Sequence, residues 1–108
     1  AHHDIDAVFC GNDAMAMGAY QAIRAAGKEG EIKVFGFDGA DDCVNAIREG
    51  KIEATGMQFP KTMAVTAATL ADKYIKGERN LPKKLPVAVE LVNKANVMNY
   101  GNFGRTDQ

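Results

Sequence analysis

Three times in the first 60 residues an apolar, strand-like run stops on one hydrogen-bonding side chain and passes straight into a helix pattern. The runs are Ile5-Asp6-Ala7-Val8-Phe9-Cys10-Gly11 into Asn12, Ile32-Lys33-Val34-Phe35-Gly36-Phe37 into Asp38, and Ile52-Glu53-Ala54-Thr55-Gly56-Met57 into Gln58. Strand-helix alternation of this kind demands a mostly parallel α/β sheet. In such sheets ligands bind in the crevice beyond the carboxyl ends of the strands. An amide, a carboxylate and a second amide therefore fall along one edge of that crevice.

The spacing predicts strands over about 4–10, 32–37, 52–57 and 87–92, with helices over about 13–26, 40–49 and 61–76. Gly27, Gly50 and Gly77 supply the helix stops, and Pro60 suits a first helical turn, where its missing N–H is no loss. The first helix carries a small stripe, Ala14, Gly18, Ala22 and Ala25, expected to lie close on a sheet. In the second, Val44 and Ile47 are expected to face inward. The third repeats Ala64, Ala67, Ala68, Ala71, Tyr74 and Ile75 at helical spacing. Residues 78–86, charged and with two prolines, read as an exposed loop, and 93–108 as a polar, loosely packed coil. Parallel strands are apolar on both faces, and three helices leave none to spare for covering both, which hints at missing neighbours.

The totals bound the function classes. A chain of 108 residues is one domain at most. A formal net charge of −1 gives no basic field to hold a phosphate backbone, so nucleic acid is not an expected partner. No apolar run approaches the roughly 18–20 residues of a membrane span, and no charged-then-apolar leader is present. Residue 1 is not Met and strand-like sequence begins by Ile5, so the chain is not expected to start at a natural terminus. Cys10 and Cys43 read either as buried free thiols or as a disulfide pair of an oxidising compartment. Neither they nor His2-His3 have metal-ligand spacing, and no metal or cofactor is expected.

Three motifs carry a resemblance. Gly11-Asn12-Asp13-Ala14-Met15-Ala16-Met17-Gly18-Ala19, then Val34-Phe35-Gly36-Phe37-Asp38-Gly39, then Ile47-Arg48-Glu49-Gly50-Lys51-Ile52-Glu53-Ala54-Thr55 with Gln58 resemble the type I periplasmic sugar-binding proteins, the ribose-binding-protein-like solute receptors of ABC importers. The resemblance implies a parallel, flavodoxin- or Rossmann-like three-layer lobe of a two-lobe receptor, with this chain matching only its C-terminal third. It implies that 1–58 is part of the C-terminal ligand-binding lobe, 59–92 the crossover helix and last strand, and 93–108 a C-terminal tail. By the same resemblance Asn12, Asp38 and Gln58 match polar sugar contacts, and Phe37 matches an aromatic residue near the ligand. The partners implied are a sugar or polyol, a membrane permease and the missing N-terminal portion of the receptor. The location implied is the periplasm, or a lipid-anchored extracytoplasmic position.

The residue chemistry agrees. A sugar hydroxyl both donates and accepts; Asn and Gln offer both functions, and an ionised Asp accepts from two adjacent hydroxyls. An aromatic neighbour such as Phe37 suits the C–H face of a sugar ring. Each residue also has a plainer reading: Asn12 or Asp13 as a helix cap, Asp38 before Gly39 as a turn, Gln58 as a loop residue, Phe37 as core. The cluster Asp38, Asp41 and Asp42 reads either as a Mg²⁺ or Ca²⁺ site or, for Asp41 and Asp42, as helix-dipole partners.

Three functions compete. The first is a solute-binding component of an importer; the second is the effector-binding domain of a lac-repressor-type transcription regulator, which shares the fold. The stretch from Ala46 to Thr55 resembles the importer receptors more closely. The third is a carboxylate-dependent hydrolase with Asp38 as nucleophile. The chain has no Ser, no His near a strand end and no Gly-rich phosphate loop, so an enzyme is not expected.

Overall fold

The computed structural model describes residues 2–107; the two terminal residues, in the first and last predicted segments, lie outside that description. Strands β1 (Ala7–Phe9), β2 (Lys33–Phe35), β3 (Ala54–Met57) and β4 (Glu90–Asn93) form one sheet in the order β1-β2-β3-β4. The first three are parallel, with Val8 opposite Val34 and Phe35 opposite Ala54. The fourth runs antiparallel to β3, placing Met57 opposite Glu90. The strands are shorter than the apolar runs that predict them. Single backbone bonds, such as Cys10 N–H to Phe35 O at 2.9 Å, continue the ladder beyond their ends.

Helices α1 (Asp13–Ala25) and α2 (Asp41–Arg48) are the β1-β2 and β2-β3 connections. Both crossovers join sequential neighbours, and the right-handed rule puts both helices on one face. The core lies between that face and the helices: Val34, Met57 and Val92 from the sheet meet Ala16 and Ile23 of α1 and Val44 and Ile47 of α2. Val44 and Ile47 face inward as expected. The small stripe of α1 does not: Ala14, Gly18, Ala22 and Ala25 are all exposed. The larger set Ala16, Tyr20 and Ile23 removes more apolar surface from water, and it decides which way the helix faces.

The other sheet face is bare. Phe9 is 74 % exposed and Leu91 62 %, on strands expected to be apolar on both sides. Helix α3 (Pro60–Ile75) has no buried residue, and its predicted inner stripe is exposed, Ile75 by 81 %. The radius of gyration is 17.5 Å, against the ~13 Å of a compact domain near this length. This is one incomplete α/β lobe with a helix standing away from it.

The tail corrects the sequence reading. Residues 93–107 are not a loose coil. A 3₁₀ turn, Val97–Asn99, leads into a hairpin of β5 (Tyr100–Gly101) and β6 (Gly104–Arg105). Val97 and Tyr100, three residues apart, insert into the core beside α2. Arg105 pairs with Glu90 of β4 at 2.8 Å, and the Arg48 guanidinium donates to the Tyr100 carbonyl. Two apolar anchors in a polar segment are too few to show as periodicity, and the Arg105 and Arg48 contacts complete the attachment.

Candidate functional site

Asn12 caps α1. Its backbone is extended, and its side-chain oxygen accepts the Met15 N–H at 2.9 Å. The next residue organises the edge. Asp13 donates its N–H to the Phe37 carbonyl at 2.9 Å. Its carboxylate accepts from the Gly39 N–H at 2.9 Å, the Ala40 N–H at 2.7 Å and the Thr55 hydroxyl at 2.6 Å. Asp13 is 1 % exposed, and a carboxylate that deep is tolerable only when paired this completely. Gly36 makes room for it, since a Cβ there would lie 2.3 Å from the carboxylate oxygen.

That carboxylate shapes the β2–α2 turn. Asp38 takes φ 138°, a backbone region that side chains rarely adopt, and Gly39 follows at φ 89°. A Cβ on Gly39 would stand 2.4 Å from the Met57 sulfur, so the turn passes close over β3. The Asp38 N–H donates to the Gly56 carbonyl at 2.9 Å, and its carbonyl accepts the Gln58 N–H at 3.0 Å. Side chains join as well: Gln58 Nε2 donates to Asp38 Oδ1 at 2.5 Å. After Gln58, Phe59 adopts the left-handed conformation (φ 56°, ψ 64°) immediately before Pro60 opens α3. A residue preceding proline is disfavoured in the right-handed helical region.

Asp38 and Gln58 line a hollow of about 410 Å³ with Ala40, Pro60, Met63 and Phe103. Its lining mixes two polar side chains with four apolar ones. Asp38 has a second carboxylate oxygen and Gln58 a side-chain carbonyl to offer hydroxyl groups there. Of the four site residues expected from sequence, these two come together. Asn12 lies at the α1 terminus outside this hollow, one residue from the carboxylate that holds the Asp38 turn. Phe37 is elsewhere: its ring packs on Gly56 and lines a hollow on the bare sheet face with Phe9, Phe35, Val89 and Leu91.

The remaining candidates resolve simply. Asp41 and Asp42 stand in the first turn of α2; Asp41 accepts the Asn102 N–H at 2.6 Å and Asp42 the Cys43 N–H at 2.8 Å. Among the described residues no group of three or more His, Cys, Asp or Glu is arranged to hold a metal ion. Cys10 and Cys43 are buried free thiols. Burial pushes the Cys43 thiol far up, and the neighbouring Asp13 carboxylate adds to it, so this sulfur stays protonated. No helix among the described residues is long and apolar enough to cross a membrane.

Sequence reasoning missed Asp13 and Phe103. For Asp13 the signal was the tandem Asn12-Asp13: with the Asn12 amide capping α1, the Asp13 carboxylate is free to accept from other donors. Phe103 fell in the segment read as coil.

An incomplete α/β lobe with polar groups at the strand ends is what these features define. The sequence pattern of the periplasmic binding protein domain family matches residues 1–79, and the chain belongs to that family. It is 44 % identical over 94 residues to the ribose import binding protein RbsB of Salmonella typhimurium, covering 87 % of this chain and 31 % of that protein. An ABC transporter periplasmic solute binding protein from Actinobacillus succinogenes, solved with bound D-allose, superposes with a TM-score of 0.83 at 33 % identity, over 89 % of this chain and 34 % of that one. A solute binding protein from Bacillus halodurans, solved with bound myo-inositol, gives 0.80 at 35 % identity, over 88 % and 32 %. The chain thus spans about a third of the length of the proteins it matches. Those relatives are named as solute-binding components of importers.

Proposed function

We propose that this chain is part of the solute-binding component of an ABC-type importer, gripping a monosaccharide or polyol through Asp38 and Gln58 in a cleft between two lobes. The observation that carries this reading is the Asp38–Gln58 pair, joined at 2.5 Å where β2 and β3 end and lining a hollow with Met63 and Phe103. Pairing of this kind orients both side chains before the ligand arrives, which lowers the ordering cost of binding. Asn12 is a third polar contact in this reading, and Phe37 a flanking aromatic. Residues 1–58 belong to the C-terminal lobe, 59–92 supply the crossover helix and the last strand, which returns to pair with β3, and the tail packs against the same lobe.

The bare sheet face and the unpartnered α3 support a larger receptor around this chain, with an N-terminal portion covering both. Such a receptor would hand its ligand to a membrane permease from the periplasm or from a lipid anchor. It would bind its ligand without turning it over.

Isothermal titration of the complete receptor with D-ribose, D-allose and myo-inositol tests the proposal. Saturable one-to-one binding of at least one is expected, weakened about tenfold or more by Asp38→Asn, which loses a charge-assisted acceptor. Equal affinity in wild type and Asp38→Asn would remove the site assignment.

A further inference from the structure

Asn102 and Phe103 form the two-residue tip of the β5–β6 hairpin, with φ 51° and 56°. Tight hairpin turns of this hand need positive φ at both central positions, and they favour Asn followed by Gly. Here glycines stand at 101 and 104, outside the tip, while a bulky aromatic occupies the strained position. Phe103 does not recover that strain by burial, since it is 42 % exposed. Its ring lines the hollow shared by Asp38 and Gln58.

The hairpin is held on several sides. The Asn102 N–H donates to Asp41 Oδ1 at 2.6 Å, the Thr106 N–H to the Asn99 carbonyl at 2.8 Å, and Arg105 pairs with Glu90 at 2.8 Å. Tyr100, at the hairpin's start, is buried in the core. A rigid mount, a strained backbone and an aromatic side chain lining the same hollow as a carboxylate-amide pair occur together at one residue. Strain retained in the folded state points to function when the surroundings fix it.

We infer that Phe103 is a ligand-contacting, specificity-determining residue that presents its ring to the C–H face of the bound sugar or cyclitol while Asp38 and Gln58 take the hydroxyl edge. The inference rests on the proposed sugar site and adds the tail to it. A ring surface selects ligands with one uninterrupted apolar face and penalises those that turn a hydroxyl into it, because that hydroxyl would be left unpaired.

The test compares Phe103→Gly, Phe103→Tyr and Asp38→Asn in the complete receptor, titrated with the ribose, allose and inositol panel. Glycine removes the ring and relieves the positive φ. It should therefore melt no lower than wild type yet bind about tenfold more weakly, an effect of the size that lost ring burial produces. Tyrosine, keeping the ring, should bind within about twofold of wild type. A purely structural role predicts the opposite for glycine, with equal or tighter binding, and that result would overturn the inference. Should Phe103→Gly melt lower, Phe103→Leu takes its place, with weaker binding expected and unchanged affinity again decisive against. If wild type binds and Asp38→Asn weakens it while the Phe103 variants do not, this inference alone falls. If wild type binds none of the panel, the sugar site falls with it.

Discussion

The Asp13 carboxylate and the Thr55 hydroxyl meet at 2.6 Å, 42 residues apart in sequence and both 1 % exposed. Through this contact and the Gly39 and Ala40 amides, one side chain at the start of α1 fastens β3 and the β2–α2 turn. The turn it fastens carries Asp38. The geometry of the candidate site is therefore set by a residue outside it.

Asp13→Ala leaves two backbone N–H groups and a hydroxyl without their acceptor, each worth about 1–3 kcal/mol. The loss of stability should be at least ~3 kcal/mol in urea unfolding. Thr55→Val, which removes one donor and keeps the volume, should cost about 1 kcal/mol. Equal losses for the two variants would show that the amide contacts contribute little.

Gly36→Ala separates packing from polarity. The new Cβ would stand 2.3 Å from Asp13 Oδ1 and 3.2 Å from the Ala16 Cβ. Displacing the carboxylate should cost about 1–3 kcal/mol. Amide hydrogen exchange should accelerate at Gly39 and Ala40, the groups it holds, before it does at Val34. Unchanged exchange at those two amides would contradict the linkage.

Asn12 stands at a cap and beside the site, and the two roles predict different outcomes. As a cap alone, Asn12→Ala costs about 1 kcal/mol of stability and leaves ligand affinity alone. As a polar contact, it also weakens binding about fivefold or more. We expect both losses; Asn12→Asp, which keeps the cap, tells them apart.

Cys43 links stability to alkaline pH. Its pKa in the fold is raised, first by burial and then by Asp13. The unfolded chain releases the thiol proton near pH 9, while the folded chain retains it. Above that pH the unfolded state binds fewer protons, so this contribution is fully present below pH 9 and is lost as pH rises through the raised value. The Tyr100 phenol, also raised by burial and by its bond to Glu90, acts in the same direction. Urea midpoints should be flat from pH 7 to 8.5 and fall above about pH 9, with the fall reduced in Cys43→Ala. At pH 8 the native protein should leave Cys43 unlabelled by a thiol reagent that labels it in urea.

The α/β order was legible because each apolar run is bounded by glycine, proline or a cap, and pattern period decides element type. Asp38 and Gln58 were legible as strand-end residues, since parallel strands put their carboxyl ends on one edge. Their direct contact was not, because it depends on the φ of 138° at Asp38 and on the close pass of Gly39 over Met57. Asp13 reads from sequence as no more than a candidate helix cap; its partners lie 26, 27 and 42 residues away, and no local pattern reports such distances. The tail was misread because Val97 and Tyr100 are isolated apolar residues among Asn and Gly. The placement of Phe37 was not legible either: its ring lies on Gly56 and lines the hollow of the bare sheet face, which only the tertiary packing decides.

The decisive measurement for the Asp38–Gln58 site is a crystal structure of the complete receptor grown with whichever of D-ribose, D-allose and myo-inositol binds most tightly. Adjacent ligand hydroxyls are expected within hydrogen-bonding distance of the Asp38 carboxylate and the Gln58 amide. A ligand seated in the cleft with neither side chain in contact would contradict it.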